Sequence, residues 1–324
     1  MGAGMVTPNV PHADRFDVAV VGASFAGASA ALYLGRARRS VVMFDSGLTR
    51  NRSAAEAHGF PGQDGRSPES IRMTGRQEAL SYPTVEIRED TVVQLRPTRE
   101  GFRLEPARGA PVHAARVIFA FGMRDLLPSI TGLAACWGRS AMQCPYCHGY
   151  ELADRPTGVL MTGEASLHQL RILPDWSADL TLFTNGHVLD AADTSDLTRC
   201  GLRIVGGRVT ALEHRDGALA ALHLDDGSRV ECRVLYLVSR CEFSCDLAAQ
   251  VGCETVSGPF GPYLVTDDLQ QTTVANVFAA GDITRPMYGS VWAAADGVRA
   301  GIFCHQSLRV AHNPYGKGPP VSAV

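Results

Sequence analysis

The sequence predicts an α/β fold of two Rossmann-like three-layer domains, the second inserted in the first. Three observations predict it. A strand, a glycine-rich turn, a helix and a second strand open the chain. A second glycine turn between a strand and a helix lies near its end, and a weaker copy of the first pattern lies in the middle.

The composition indicates a globular chain with small partners. With 324 residues, of which 45% are hydrophobic and 19% charged, the chain can bury two cores. The net charge of -3 gives no general attraction to nucleic acid or an anionic membrane. No signal peptide and no apolar run near ~20 residues is present, so we expect a cytoplasmic protein that does not enter membranes. In that reducing compartment most of the nine cysteines should be buried thiols.

The first element is the segment "FDVAVVGASFAGASAALYLGRARRSVVMFDSG". Residues 16–21 and 40–44 predict strands, and residues 23–39 predict a helix. Between them, Gly22 allows a tight turn, Ser24 allows close approach of a pyrophosphate, and Gly27 lets the helix pack on the strand. Asp45 ends the second strand, where a carboxylate would accept hydrogen bonds from ribose hydroxyls. The alternative is an ordinary helix-opening loop.

The last element pairs with the first. Residues 276–280 predict a strand, followed by Gly281-Asp282 and a helix rich in small residues. This stretch resembles the second flavin signature of the pyridine nucleotide-disulfide oxidoreductases, although Gly-Asp after a strand is also a common turn. The pairing predicts a split cofactor domain at 15–130 and 252–311, with an insert at 131–251. We expect a disordered lead-in at 1–14 and a flexible tail at 312–324.

The insert looks like a degenerate nicotinamide-binding half. Gly163 and Ala165 fill the first two positions of the fingerprint, but His168 fills the third, where we expect it to push the helix from the strand. Pro174 should interrupt the helix. An NADPH enzyme needs arginines after the second strand, where this chain has residues 184–186, "TNG", and Asp190 comes too late for NADH.

The stretch "CPYCHGYE" at 144–151 has three interpretations. Zinc would need two more ligands, and Cys241 and Cys245 have an irregular spacing without a glycine knuckle, so we predict no metal site. A glutaredoxin dithiol would follow the first strand of a small separate domain, which does not match this position. The third interpretation is a disulfide that exchanges electrons with a bound flavin. Cysteines without motif spacing are expected to be structural: Cys136, Cys200, Cys232, Cys253 and Cys304.

Over nearly its whole length the chain resembles the low-molecular-weight thioredoxin reductases. Within that fold it is most similar to FAD-dependent dithiol oxidases that close disulfides in secondary metabolites such as holomycin, gliotoxin and romidepsin. The resemblance rests on the Gly22–Gly27 turn, "RNRSAAEAHGFPGQDG" at 50–65, "CPYCHGYE", Gly281-Asp282 and Ser290-Val291. Thioredoxin reductases have an aspartate where this chain has His148, and they carry the missing arginine clamp. Both departures favour the oxidases.

The resemblance implies roles for these residues. Cys147 lies against the flavin, Cys144 faces a small-molecule dithiol, and His148 takes the proton of the substrate thiol. Electrons pass through the disulfide to FAD and then to O2, which gives H2O2, in a homodimer. The alternative is an NAD(P)H-dependent reductase of a protein disulfide. Asp282 would bind the ribityl chain, Arg52 the pyrophosphate, and the loop with His58 and Gln63 would cover the flavin. The implied cofactor residues are Gly22, Ser24, Phe25, Ala26, Gly27, Asp45, Arg52, His58, Gln63, Val92, Gly122, Gly281, Asp282, Ser290 and Val291.

Overall fold

The computed structural model of the protein describes residues 14–309. The predicted lead-in lies outside this range except for Asp14, and the predicted tail lies outside it entirely. Among the helices that are described, none combines the length and the apolar character needed to cross a lipid bilayer.

Eight elements from the first third of the chain build most of the first domain. In chain order they are β1 (Arg15–Val21), α1 (Phe25–Arg36), β2 (Val41–Phe44), α2 (Pro68–Leu80), β3 (Val85–Arg88), β4 (Val92–Thr98), β5 (Gly101–Pro106) and β6 (Val112–Phe119). The predicted strand, helix and strand at 16–21, 23–39 and 40–44 are confirmed as β1, α1 and β2, with α1 shorter at both ends.

The middle of the chain forms the second domain. Its elements are β7 (Met123–Leu126), α3 (Leu133–Cys136), β8 (Ala141–Met142), α4 (Pro145–His148), β9 (Thr157–Leu160), α5 (Ala165–Ile172), β10 (Leu180–Phe183), α6 (Ala191–Arg199), β11 (Arg203–Val205), β12 (Val209–Arg215), β13 (Ala218–Leu224), β14 (Arg229–Glu231), β15 (Val234–Leu237) and β16 (Arg240–Phe243). The chain then returns to the first domain through α7 (Leu247–Gln250), β17 (Thr255–Ser257), β18 (Pro262–Leu264), β19 (Val277–Ala279) and α8 (Ser290–Arg309).

Two separate main sheets confirm the predicted α/β fold with an inserted second half. The first has the order β3-β2-β1-β6-β5-β4, and β19 pairs in parallel with the last part of β6. The strands β3, β2, β1 and β6 are parallel, whereas β4 and β5 form an antiparallel meander. The second is fully parallel, with the order β11-β10-β9-β15-β8. Strand β19 therefore brings the end of the chain beside its beginning.

Small residues let α1 and α8 pack closely on one face of the first sheet. A Cβ on Gly297 would lie 2.0 Å from the backbone oxygen of Ala26, and one on Gly301 would lie 2.8 Å from that of Ala30. The branched side chains of β1 and β6 are fully buried beneath these helices. The alanine and glycine content of both helices thus determines how closely the two ends of the chain approach.

The predicted clash at His168 is wrong. Helix α5 begins at Ala165, and in this register Ser166 is fully buried whereas the His168 side chain is exposed. The Ser166 hydroxyl accepts a hydrogen bond from the backbone N–H of Thr162 at 3.0 Å. The interruption at Pro174 is confirmed, because α5 ends at Ile172 and a short 3₁₀ turn follows.

Packing favours an earlier end of the insert than residue 251. Cys241, Leu247 and Ala248 lie in the core on the meander side of the first sheet. Strands β7 and β16 connect the two domains. They pair antiparallel, with Leu126 opposite Arg240. Both connections therefore run side by side. The ranges 15–130, 131–251 and 252–311 stay predictions.

Candidate active site

The turn between β1 and α1 fits a dinucleotide phosphate. A Cβ on Gly22, which has a φ of 108°, would lie 2.1 Å from the backbone oxygen of Ala120. A Cβ on Gly27 would lie 1.7 Å from the backbone oxygen of Gly22, so the predicted reason for both glycines is confirmed. Ser24 precedes α1 without capping it through its side chain. The N–H groups of the first turn are therefore available to an anion.

The second glycine turn meets the first. A Cβ on Gly281 would lie 3.1 Å from the Cβ of Ala26. The next residue, Asp282, is half-buried, and burial raises the pKa of its carboxyl to about 6. Ser290 and Val291 at the start of α8 are half-buried beside this turn. The structure thus brings both predicted motifs together at the start of α1.

Asp45 has partners that the sequence reasoning missed. It is buried at the end of β2, and its Oδ2 accepts hydrogen bonds from Arg72 at 2.5 Å and Arg76 at 2.9 Å, while Oδ1 accepts from the backbone of Gly47 at 2.9 Å. A buried carboxylate needs such compensation. A ribose hydroxyl would have to share this carboxylate with two guanidinium groups.

The loop at 50–65 folds over the start of α1. The rings of Phe25 and Phe60 are 6.4 Å apart, and Gln63 lines a cavity together with Ser24 and Phe25. Arg52, however, is exposed and donates to the backbone oxygen of Thr49 at 2.8 Å. Its predicted pyrophosphate contact would require this side chain to move.

Val92 and Gly122, two of the predicted cofactor residues, have different surroundings. The Val92 side chain is buried in the core of the first sheet, so only its main chain is left to contact a cofactor. Gly122 has a φ of 71°, and a Cβ there would meet no atom within 4 Å. Its Cα therefore faces open space.

The two cysteines of the dithiol have different environments. Cys144 precedes α4, and Pro145 is the first residue of that helix. A hydrogen bond from the Cys147 thiol lowers the pKa of Cys144, and the backbone N–H groups of Cys147 and Tyr146 add to this effect against the opposing effect of burial. The same interaction, followed by burial, raises the pKa of Cys147. In the dithiol form Cys144 is thus the more acidic thiol and Cys147 the hydrogen-bond donor.

His148 is the last residue of α4 and follows Cys147 directly. Burial, and then the charge of His58, lower its pKa from the ordinary value of histidine. The imidazole is therefore neutral at neutral pH and can accept a proton. The His58 ring, from the loop at 50–65, stands at 87° to that of His148 with the ring centroids 6.1 Å apart.

Arg50 is a central residue that the sequence reasoning missed. Its guanidinium donates to Asp125 of β7 at 2.7 Å and to the side chain of Gln143, which precedes Cys144, at 3.4 Å. It also stacks over the Tyr288 ring at 4.4 Å and lies 3.9 Å from Asp282. Four separate segments of the chain meet at this side chain. The sequence signal that could have found this site is the acidic residue Asp125, which lies in the short strand that connects the two domains.

The insert has one feature that opposes a nicotinamide site and one that favours it. Glu164 precedes α5, so its carboxylate lies at the helix end where a phosphate would bind. After β10, no arginine stands in the turn itself, but the exposed side chain of Arg208 comes from another loop to within 3.3 Å of a Cβ placed on Gly186. Sequence spacing could not find this arginine, because it follows β11.

The other cysteines divide into two groups. Four of the five predicted to be structural are buried as expected: Cys136, Cys232, Cys253 and Cys304. Cys200 is exposed at the end of α6, which corrects that prediction. Cys241 is buried on β16, 3.4 Å from a carboxylate oxygen of Asp125, and Cys245 is half-buried in the turn before α7.

Comparison with known proteins assigns the chain to a family. A family model described as pyridine nucleotide-disulphide oxidoreductase matches residues 16–166. Thioredoxin reductase sirT of Leptosphaeria maculans is 30% identical over 303 residues, which are 88% of this chain and 92% of that protein. The chain belongs to the pyridine nucleotide-disulphide oxidoreductases, among their thioredoxin reductase-like members.

Solved structures of this family share the fold. An oxidoreductase from Agrobacterium tumefaciens has a TM-score of 0.85 and 37% identity, with coverage of 91% of this chain and 99% of that chain. HlmI has a TM-score of 0.85 and 34% identity, with coverage of 92% and 94%. As a pyridine nucleotide-disulphide oxidoreductase the chain is a redox enzyme, and members of this family typically depend on a flavin. The close backbone approaches at Gly22, Gly27 and Gly281 fit the two glycine turns that such a cofactor needs.

Proposed function

We propose that the protein is an FAD-dependent dithiol oxidase that closes a disulfide in a small-molecule dithiol, with O2 as the acceptor and H2O2 as the product. One observation carries this proposal. A thiol of lowered pKa, Cys144, and a neutral imidazole, His148, lie at the two ends of one four-residue helix. A dithiol oxidase needs this combination, because the substrate thiol must lose a proton before it can attack a disulfide.

In the proposed reaction the enzyme begins with a Cys144–Cys147 disulfide. His148 takes the proton of one substrate thiol, and the resulting thiolate attacks Cys144, so that a mixed disulfide forms and Cys147 leaves with the electron pair. The second substrate thiol then gives its proton to the Cys147 thiolate and attacks the bonded substrate sulfur, so that Cys144 leaves with the electron pair. The substrate leaves as a disulfide, the proton held by His148 returns to Cys144, and the enzyme retains both electrons as a Cys144–Cys147 dithiol.

The lowered pKa of Cys144 suits its role in the second step. A thiol of lower pKa is the better leaving group in disulfide exchange, and Cys144 leaves when the substrate disulfide closes. The first-turn N–H groups of α1, Gly281 and Asp282 would hold the cofactor. When bound there, FAD would supply the two-electron acceptor for the dithiol and pass the electrons to O2.

The alternative is a reductase that uses NAD(P)H and acts on a protein disulfide. The name of the sirT relative and the arginine at position 208 beside Gly186 favour it. The carboxylate of Glu164 at the start of α5 opposes it, because it would repel a pyrophosphate there. A homodimer and a cytoplasmic location stay predictions.

The test is oxygen uptake by the purified enzyme. We expect the enzyme to contain one FAD per chain and to consume O2 with dithiothreitol as a small dithiol, with one H2O2 formed for each disulfide. NADPH should not be required. A preparation that contains FAD but reduces a protein disulfide only when NADPH is added would support the reductase instead.

A further inference from the structure

Three metal-ligating side chains converge beside the dithiol. Ligand atoms of His58, His148 and Glu151 all lie within 4.8 Å of one another. His58 belongs to the loop at 50–65, whereas the other two belong to α4 and the turn that follows it. This donor set is distinct from the four cysteines that the sequence analysis considered for zinc.

The His58 ring is oriented by a second carboxylate. Its Nδ1 lies 3.4 Å from Oδ2 of Asp64, and Oδ1 of Asp64 accepts a hydrogen bond from the backbone of Gly59 at 2.7 Å. With the ring proton on Nδ1, the lone pair of Nε2 points to the other side of the ring. Such a carboxylate–histidine contact is the usual outer partner of a metal-bound imidazole.

The other ring nitrogen of His58 has no suitable protein donor. Its Nε2 is buried and makes no hydrogen bond, yet it lies 3.4 Å from Oε1 of Glu151 and 3.6 Å from Oε2 of Glu56. In the tautomer with its proton on Nδ1, the Nε2 lone pair is repelled by both carboxylates. A proton on Nε2, which gives His58 its charge, or a metal cation removes this repulsion. A cation placed among these atoms would satisfy the imidazole and the carboxylates together.

The distances suit a tetrahedral ion. With metal–ligand bonds of about 2.0–2.1 Å, neighbouring ligands of Zn2+ stand about 3.3 Å apart. The separation of His58 Nε2 and Glu151 Oε1 already matches this value. Glu151 is exposed, so its side chain can rotate toward His148. The ligand atoms of the two imidazoles lie within 4.8 Å of each other and must approach further by ring rotation or a shift of the loop at 50–65. Two imidazoles and one carboxylate also form a common protein ligand set for Zn2+ with an open fourth position.

We propose that His58, His148 and Glu151 form a Zn2+ site that controls the dithiol. Occupation of the site takes the lone pair of His148 and ties the loop at 50–65 to α4. The binding itself is independent of the proposed oxidase activity. The consequence, that an occupied site stops proton removal from the substrate thiol, rests on the proposed function.

Binding is measured with Co2+ as the probe in a Cys144→Ser/Cys147→Ser variant that keeps its bound cofactor, because the dithiol would itself bind the metal. We expect one Co2+ per chain, with visible absorption bands typical of four or five ligands. Asp64→Asn should weaken binding by roughly 10–100-fold, and Glu151→Gln by more. The matched control is Glu164→Gln, which removes an exposed carboxylate outside the cluster and should leave Co2+ binding unchanged. Equal binding by the Glu151 and Glu164 variants would overturn the proposal.

A second measurement identifies the ligands without any assay of turnover. Zn2+ should protect His58 and His148 from diethyl pyrocarbonate, with the modified residues found by peptide mass mapping. The exposed His168 and His187 should react at the same rate with or without Zn2+. The oxidised parent enzyme, with its disulfide closed, provides a second protein for the same test. Unprotected His148 at saturating Zn2+ would reject the site, and it would leave the oxidase proposal unaffected.

Discussion

At the scale of single residues, Cys144 and Cys147 can be distinguished by removing one at a time. The pKa of Cys147 is raised first by its hydrogen bond to Cys144, so Cys144→Ser should remove that cause and let Cys147 ionise at lower pH. If Cys147 is the sulfur beside the flavin, this variant should gain a long-wavelength absorbance band that grows with pH. Cys147→Ser should show no such band. Both should lose dithiol oxidation, and retained activity in either would remove the pair from the mechanism.

His148 can be tested through the pH dependence of turnover. Its lowered pKa means that the neutral, proton-accepting form persists to lower pH than in an unshifted histidine. Turnover of the parent should therefore decline at a lower pH than an unshifted histidine would give. We expect His148→Ala to lose roughly 10²–10⁴-fold at neutral pH, and the loss should shrink toward about pH 10, where substrate thiols ionise unaided. Steady-state rates from about pH 5 to about pH 10 check this. An alanine variant within a few-fold of the parent at neutral pH would make His148 a structural residue.

At the scale of elements, two helical glycines form a matched pair. A Cβ at Gly27 in α1 would lie 1.7 Å from the backbone oxygen of Gly22, whereas one at Gly75 in α2 would lie 3.6 Å from the Cβ of Ala28, which is an ordinary contact. Gly27→Ala should therefore abolish flavin binding or folding. Gly75→Ala should stabilise the protein by roughly 0.5–1 kcal/mol, the usual gain from replacing glycine inside a helix. Flavin content and urea unfolding measure both, and equal effects of the two substitutions would contradict the close-packing argument.

The ion pair between the loop at 50–65 and β7 is a second prediction at this scale. Burial alone would raise the pKa of Asp125, but its hydrogen bonds and ion pair with Arg50 lower it overall. The pair therefore adds stability above the ordinary aspartate pKa, and this contribution is lost as pH falls through the lowered value. Asp125→Asn should cost up to roughly 3–5 kcal/mol at neutral pH, because it leaves the largely buried guanidinium with only the more distant carboxylate of Asp282. Glu213→Gln, which breaks an exposed pair with Arg229, is the control and should change little. Urea unfolding at neutral and acid pH measures the stability of both variants. Equal losses of unfolding free energy in the two would contradict the argument.

At the scale of the whole molecule, the sequence predicted what depends on local spacing. Gly22 and Gly27 act within one turn, and the dithiol acts within one short helix, so their patterns are visible in the letters. Four segments of the chain meet only after both domains have formed, and they contribute Arg50, Asp125, Gln143 and Tyr288. No spacing rule links them. The errors have the same origin, because the outward side chain of His168 and the position of Arg208 depend on helix register and loop packing.

The two domains can also be distinguished by which donor reduces the bound flavin, NADPH at the insert or the dithiol. If the insert has lost nicotinamide binding, electrons reach the cofactor from the dithiol alone. NADPH should then reduce the bound flavin far more slowly than dithiothreitol does, as followed by flavin absorbance in anaerobic stopped flow. Glu164→Gln should raise the NADPH rate if the carboxylate before α5 is what repels a pyrophosphate, and Arg208→Gln should lower any rate that remains. Rapid flavin reduction by micromolar NADPH in the parent would show that the insert still binds nicotinamide, and the reductase would then be the better description.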